Sequence, residues 1–291
     1  MIIDKIKNNK VYFLLFPSLI IIFLVSIYPI YYAIKLGFQK WVLYLSRQPQ
    51  EFVGFENYIR AFGDSLFINS VKVTIVYTFL SVFLSVFLGL LFALYLQREG
   101  KFNTLLKSML IFPFAISPAL KGFTFRFMLN SEYGILDRIL NIIFPFTENI
   151  IWLSNTAWAI FFLAMSEVWG WVPLIALMFL GALGNISPSI FESAKVEGAN
   201  NFQIFYHITL PLLKPTILVA VLLRIIFSLK MFDQVVTMTG GGPGRSTQVL
   251  NHYIYQLAFN NLDMGYAAAV AGILILFMIF VSAMYVKVTL D

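Results

Sequence analysis

Three uncharged apolar runs, Val11–Tyr32, Val73–Leu96 and Tyr266–Val286, constrain this chain more than any other feature. Each reaches the roughly 20 residues that a helix needs to cross the hydrocarbon core of a bilayer. In that solvent every backbone polar group must be satisfied internally, so the runs predict membrane-spanning helices. Three further runs carry a few polar residues: about Ser108–Leu129 with Lys121 and Arg126, about Ala157–Leu180 with Glu167, and about Pro215–Val236 with Arg224, Lys230 and Asp233. The expected fold is all-α: six transmembrane helices (about 11–32, 73–96, 108–129, 157–180, 215–236 and 266–286) in one membrane domain over residues 1–291. Composition agrees, with 60% hydrophobic and only 12% charged residues, against about 25% charged in a soluble domain.

The residue inventory excludes several chemistries. Cysteine is absent, which removes disulfides, thiol catalysis, cysteine metal sites and lipidation. The only histidines, His207 and His252, stand in no metal-ligand spacing, so no metal and no cofactor is expected on this chain. Neither a Ser–His–acid set nor paired carboxylates emerge, so catalysis by the chain itself is not expected. The net charge of +6 fits loops beside anionic lipid and is not read as nucleic-acid binding. The basic start, Met1 to Lys10, looks like a signal peptide, but Val11–Tyr32 exceeds an h-region of about 7–15 residues and no small-x-small site follows. It is read as a retained first span.

Six spans place both termini on one side. Lys and Arg divide evenly between the two sides; the shorter segments on the terminal side, with Lys5, Lys7, Lys10, Arg98, Lys101, Lys107, Lys195, Lys214 and Lys287, favour termini inside only weakly. Pro113 and Pro118 in the third span, and Gly170 and Pro173 in the fourth, interrupt helical hydrogen bonding. They are either packing kinks or breaks lining a translocation path. Ionisable groups inside a membrane are costly and commonly functional. Glu167 and Lys230 are each roughly 21–22 Å above the inner ends of their spans at 1.5 Å per residue, so a structural ion pair or a shared polar cavity between them is expected. Arg224 is placed to face a phosphate or a partner subunit. Trp169 and Trp171, flanking Gly170, stack on a sugar ring or simply pack in the core. The candidate substrate path is thus Glu167, Trp169, Trp171, Arg224, Lys230 and Asp233.

The segment between spans four and five is too polar to cross a membrane and too regular for a random loop. Ser187-Pro188 suits a helix start, Gly198 can take a positive φ and end that helix, and a second short helix covers about Asn201–Ile208. Pro211 and Pro215 are expected to stop it and start span five. Taken alone, this helix–turn–helix lies across the membrane face as an interfacial element with or without a partner. Its residues resemble the cytoplasmic EAA loop of bacterial ABC importer permeases: Glu192-Ser193-Ala194, then Gly198, then Ile208-Thr209-Leu210-Pro211, every spacing matching. The departure is Ser193 in place of the middle alanine. The resemblance implies that the coupling loop, about 187–211, docks into a cleft on an ATPase subunit, and that the loop and both termini are cytoplasmic.

A second resemblance narrows the class. Residues 232–269, with Phe232-Asp233, Thr239-Gly240-Gly241-Gly242-Pro243, Thr247, Tyr253-Ile254-Tyr255, Ala258-Phe259 and Gly265-Tyr266-Ala267-Ala268, are similar to carbohydrate permeases of the maltose and glycerol-3-phosphate type. Phe112-Pro113, Ser117-Pro118 and Tyr133-Gly134 fit the same pattern, while Phe125 and Phe127 around Arg126 stand where the family suggests tryptophan. The glycine run is not a phosphate loop, because Arg245 replaces the lysine and the spacing is wrong. Gly241, Gly242 and Pro243 are instead a candidate contact for a solute receptor, or a flexible turn. The resemblance implies one transmembrane subunit of an ATP-driven sugar importer in the inner membrane. Its expected partners are a second, paralogous permease, two ATPase subunits that bind ATP and Mg, an extracytoplasmic solute-binding protein, a carbohydrate and the lipid bilayer. The alternative is a secondary transporter using the intramembrane charges, although no inverted repeat is evident. A membrane-embedded enzyme lacks a catalytic constellation, and an exporter half lacks a fused ATPase domain.

Overall fold

A computed structural model describes residues 15–97 and 100–290. The basic N-terminal stretch with Lys5, Lys7 and Lys10, the start of the first span at 11–14, and Arg98 lie outside the described residues. In chain order the helices are α1 (Leu15–Gly37), α2 (Glu56–Gly63), α3 (Ser65–Leu96), α4 (Lys101–Ala115), α5 (Pro118–Met128), α6 (Ile135–Ile143), α7 (Thr156–Gly184) and α8 (Pro188–Val196). There follow α9 (Asn201–Leu229), α10 (Asp233–Met238), α11 (Leu250–Tyr255) and α12 (Met264–Leu290). Two short strands, β1 (Gln39–Lys40) and β2 (Glu51–Phe52), pair antiparallel. Among the described residues α1, α3, α7, α9 and α12 are long and apolar enough to cross a bilayer, and α4 with α5 supply a sixth crossing if that bent pair is one span.

The chain divides into two compact units. In the first, formed by residues up to 65 and 254–277, Arg60 pairs with Asp263 at 2.9 Å and stacks over the Tyr266 ring at 4.0 Å. The Tyr266 hydroxyl donates to Asp64 at 2.7 Å, and the Asn57 amide donates to the carbonyls of Gly37 and Gln39. The second unit, residues 66–253 and 278 onward, contains two apolar cores. One gathers Tyr77, Trp152, Phe162 and Val235; the other gathers Ala93, Ile175, Phe179, Leu183, Leu213 and Ala220. In the second core the absence of a side chain at Gly89 lets α3 approach α7: a Cβ there would sit 2.6 Å from Ile175 Cγ2. On α3, Phe79, Phe83 and Phe87 form an exposed stacked ladder at four-residue spacing, as a lipid-facing or subunit-facing stripe requires.

Two expectations need correction, and one open alternative is decided. The third span breaks, at Pro118 and not at Pro113: α4 and α5 meet at 99°. Ile116 is extended at ψ 135° and Ser117 at ψ 146°, because the residue before a proline is pushed out of the helical region. The Ser117 side chain then caps α5 by accepting from the Leu120 N–H at 3.3 Å. The fourth span shows the opposite. α7 continues through Gly170 and Pro173 without interruption, so the breaks do not come in neighbouring pairs. The fifth span neither starts at Pro215 nor reaches Val236. The short helix from Asn201 passes through a π-turn, Phe205–Thr209, into the spanning segment. That turn leads directly to Pro211 in the first turn of the following α segment, and the helix runs on unbroken. The helix stops at Leu229, after which Lys230 and Phe232 leave helical geometry.

The Gly89 contact yields a direct expectation. Gly89→Ala should destabilise the protein by about 1–3 kcal/mol through overpacking. Gly181→Ala, which meets nothing within 4 Å, should be neutral or stabilising by up to about 1 kcal/mol through helix propensity. Thermal unfolding in detergent distinguishes the two.

Candidate functional site

The second unit contains a buried polar cluster built from three long helices, each contributing side chains four residues apart and hence on one face. α3 supplies Tyr77 and Ser81, α7 supplies Glu167 and Trp171, and α9 supplies Arg224 and Ser228. Arg224 is 0% exposed. Its Nη1 donates to Glu167 Oε1 at 3.0 Å, and its Nη2 donates to the hydroxyls of Ser81 and Ser228, each at 3.1 Å. Those hydroxyls are 2.8 Å from each other. The guanidinium also lies 4.6 Å from the centroid of the Trp171 ring. A charge in such surroundings persists only when paired and hydrogen-bonded, and removing one partner of a buried pair typically costs about 3–5 kcal/mol.

Aromatic rings surround this cluster. Trp171 contacts Phe114 edge-on at 5.5 Å and Phe227 at 4.6 Å, and both phenylalanines are substantially exposed. Trp169, 38% exposed, packs on Phe125 at 6.0 Å. Trp169 thus offers a free edge or face, whereas Trp171 is already engaged by Arg224. Pro173 has no N–H, so the Trp169 carbonyl loses its usual helical donor beside the same site. Lys121 comes from α5 and lies over Gly170: a Cβ on that glycine would sit 2.9 Å from Lys121 Cε and closer still to Nζ.

The expected Glu167–Lys230 pair does not form; Arg224 takes the carboxylate. Ser228 follows Arg224 by four residues and shares its face, but Lys230 follows by six and so lies roughly 120° away around the axis. Lys230 is exposed and lines a separate groove of about 570 Å³ with Ile226, Met278, Ile279 and Ser282. Arg224 likewise faces no exposed surface, being enclosed by Glu167, the two serines and Trp171. Asp233, exposed at the start of α10, makes no ion pair among the described residues. Of the six candidates, then, the structure brings together Glu167, Trp171 and Arg224, while Trp169 packs on Phe125 from another side of α7. Sequence reading missed Tyr77, Ser81, Ser228 and Phe114 as members. Tyr77, Ser81 and Ser85 at four-residue steps in an otherwise apolar span were the available signal.

The segment after α7 is a helix–turn–helix. α8 begins at Pro188, but the Ser187 hydroxyl bonds Ser189 Oγ at 2.8 Å and does not cap the backbone. Gly198 has φ 85°, a left-handed conformation open to glycine and strained for other residues. The Ala199 N–H there reaches back to the Ala194 carbonyl at 2.9 Å. Asn200 and Gln203 form a reciprocal capping box that starts α9. Ala194 is buried, whereas Glu192, Ser193, Gly198 and Pro211 are exposed, with Ile208 and Leu210 half-buried. Val196 is 89% exposed, and the exposed rings of Phe202 and Tyr206 stack at 6.3 Å. A cleft of about 700 Å³ lies beside them, lined by Phe191, Lys195, Ile204 and Phe205.

The glycine loop is tightly bonded. The Thr247 hydroxyl donates to the Gly242 carbonyl at 2.7 Å and is 2.7 Å from that of Thr239; the Gly241 N–H donates to Thr239 Oγ1 at 3.3 Å, and Asn69 donates to the Arg245 carbonyl at 3.1 Å. The Gly242–Pro243 bond is cis. Gly241 is buried at φ 88°, and a Cβ on it would lie 2.7 Å from His252 Cε1. Burial lowers the pKa of that imidazole.

The profile of the family described as "Binding-protein-dependent transport system inner membrane component" matches residues 85–289. The chain belongs to this family. It is therefore a multi-pass inner-membrane permease component, and the family is one of transport components and not of catalysts. The permease is 35% identical over 275 residues to the sulfoquinovosyl glycerol transport system permease protein SmoG of Agrobacterium fabrum, covering 94% of this chain and 88% of that one. It is 33% identical over 288 residues to the trehalose/maltose transport system permease protein MalF of Thermococcus litoralis, covering 98% and 95%. Its fold matches a chain from the crystal structure of a bacterial ABC transporter involved in import of the acidic polysaccharide alginate, with TM-score 0.79, 23% identity, and coverage of 98% and 99%.

Two outcomes follow for the permease. Arg224→Met should destabilise it by about 3–5 kcal/mol by orphaning Glu167, and adding Glu167→Gln should recover a large part of that loss, measured by thermal unfolding in detergent. For His252 the folded pKa lies below the unfolded value of about 6.5, so protons favour the unfolded chain. Its stabilising contribution is complete above pH about 6.5 and declines as pH falls toward the folded value. Unfolding measured from pH 7.5 to 5.5 should show this slope, and His252→Gln should flatten it.

Proposed function

We propose that this permease is half of the translocation path of an ATP-driven carbohydrate importer and takes its energy through the 187–211 loop. The observation that carries the reading is the largely exposed helix–turn–helix, its second helix opened by a capping box, that bears Glu192, Ser193, Ala194, Gly198, Ile208, Leu210 and Pro211. Its apolar projections, Val196, Phe202 and Tyr206, fit insertion into a cleft of a partner. Because α9 continues from this loop to Arg224 without a stop, a push on the loop reaches the buried cluster along one rigid element. On this reading ATP binding closes two ATPase subunits, the paired loops of this permease and a paralogous second one move together, and the cluster opens outward. The loop and both termini are then cytoplasmic. A relative's structure with alginate pentasaccharide-bound periplasmic protein supports a solute-binding protein as the delivering partner, with Gly241, Gly242 and Pro243 as its candidate contact. Trp169, Phe114 and Phe227 provide apolar ring faces for sugar stacking beside hydrogen-bonding groups of the cluster.

The test is uptake into inverted or reconstituted vesicles containing the permease, its partner permease, ATPase and receptor. Gly198→Asp should retain membrane insertion yet lose at least tenfold in ATP-dependent sugar uptake, because an aspartate at φ 85° distorts the turn. Uptake that needs no ATP, or ignores the substitution, would overturn the importer reading.

A further inference from the structure

The cluster around Arg224 has two cations and one carboxylate. Glu167 already serves as counter-ion to Arg224 at 3.0 Å. Lys121 is only 5% exposed, lies within electrostatic reach of both, and forms no salt bridge among the described residues. Arg224 Nε is buried without a hydrogen-bond partner among the described residues. The Tyr77 hydroxyl is engaged by Glu167 and Ser81, so the carboxylate already serves several groups. A buried ammonium that must share its one carboxylate with a second cation is expensive in a membrane protein and marks a functional site. Gly170 is what gives the ammonium its place, since any side chain there would collide with the tip of Lys121.

We propose that the sugar carried through this site bears an oxyanion, a carboxylate, sulfonate or phosphate, and that Lys121 is the specificity-determining residue that receives it. Such a group supplies the missing counter-charge and accepts from the Lys121 ammonium, while the exposed Trp169, next to Gly170 and packed on Phe125, takes the ring. Hydrogen bonds to ionised groups are roughly twice as strong as neutral ones, so the site discriminates against the uncharged parent sugar. This rests on the importer reading above, and goes beyond it by naming the substrate class.

The experiment is competition uptake in proteoliposomes holding the whole importer. The probes are sulfoquinovosyl glycerol and a uronic-acid oligosaccharide, each set against its neutral counterpart, glucosyl glycerol and the corresponding neutral oligosaccharide. Wild type should favour at least one anionic probe by tenfold or more. Lys121→Gln should reduce that ratio at least tenfold, and Gly170→Ala, which keeps the charge but displaces the ammonium, should reduce it in the same direction. Lys121→Met should leave the melting temperature unchanged or raise it, because an unpaired charge is removed. ATP-dependent uptake of neutral sugars in preference to both anionic probes overturns the inference while leaving the importer reading intact. So does an anionic preference that survives Lys121→Gln, which would assign selection to the receptor, and so does a lowered melting temperature with equal loss of both uptakes, which would make Lys121 structural. Absence of ATP-dependent uptake for every sugar overturns both.

Discussion

The ion pair between Arg224 and Glu167 organises the membrane-embedded part of the second unit. It joins α9 to α7 directly, and through Ser81 it ties both to α3. A guanidinium can hold three elements at once because its donors diverge in a fixed plane, one pair of hands to the carboxylate and the rest to hydroxyls. Nothing apolar could specify the register of three long helices so narrowly, since α3, α7 and α9 are otherwise lined with interchangeable Leu, Ile, Val and Phe. The pair is also a point where helix positions are coupled: moving α9 requires Arg224 either to carry Glu167 with it or to let go.

This gives the unbroken course of α9 its importance. A helix that starts at the capping box of Asn200 and ends at Leu229 links an exposed, partly apolar surface to a buried charge network. Of the two prolines that suggested a boundary, Pro211 falls in the first turn after the π-turn, and Pro215 lies inside the helix without ending it. By contrast, the extended residues Ile116 and Ser117 do break the third span, and the resulting turn brings Lys121 over Gly170. One proline-containing segment is continuous and another sharply bent, and the difference lies in whether the neighbouring backbone can supply an alternative hydrogen-bond register.

Rings and charges divide the work at the centre of the site. Trp171 is spent on Arg224, so it stabilises the cluster more than it meets solvent, while Trp169, Phe114 and Phe227 present accessible surface. Lys230, which by depth and sign looked like the partner of Glu167, sits on another face of the chain next to its own groove. The glycine loop, which by composition could have been a loose turn, is closed by threonine hydroxyls and by the fit of Gly241 against His252.

The sequence by itself determined the solvent, the class and the local form of the 187–211 helix–turn–helix. Apolar run length sets how many helices can cross a bilayer, and the Glu192-Ser193-Ala194, Gly198, Leu210-Pro211 spacing is local enough to be read without coordinates, because caps, turns and positive-φ glycines act over only a few residues. Which ionisable groups meet was decided by tertiary structure alone. Depth along a helix is legible from residue counts, but the partner of Glu167 depends on how α7 and α9 rotate about their axes, and that rotation is set by packing contacts such as Gly89 against Ile175. The same holds for Lys121, an unremarkable polar residue in a span until the bend at Ser117 and the bare backbone of Gly170 place its ammonium beside a pair that is already neutral.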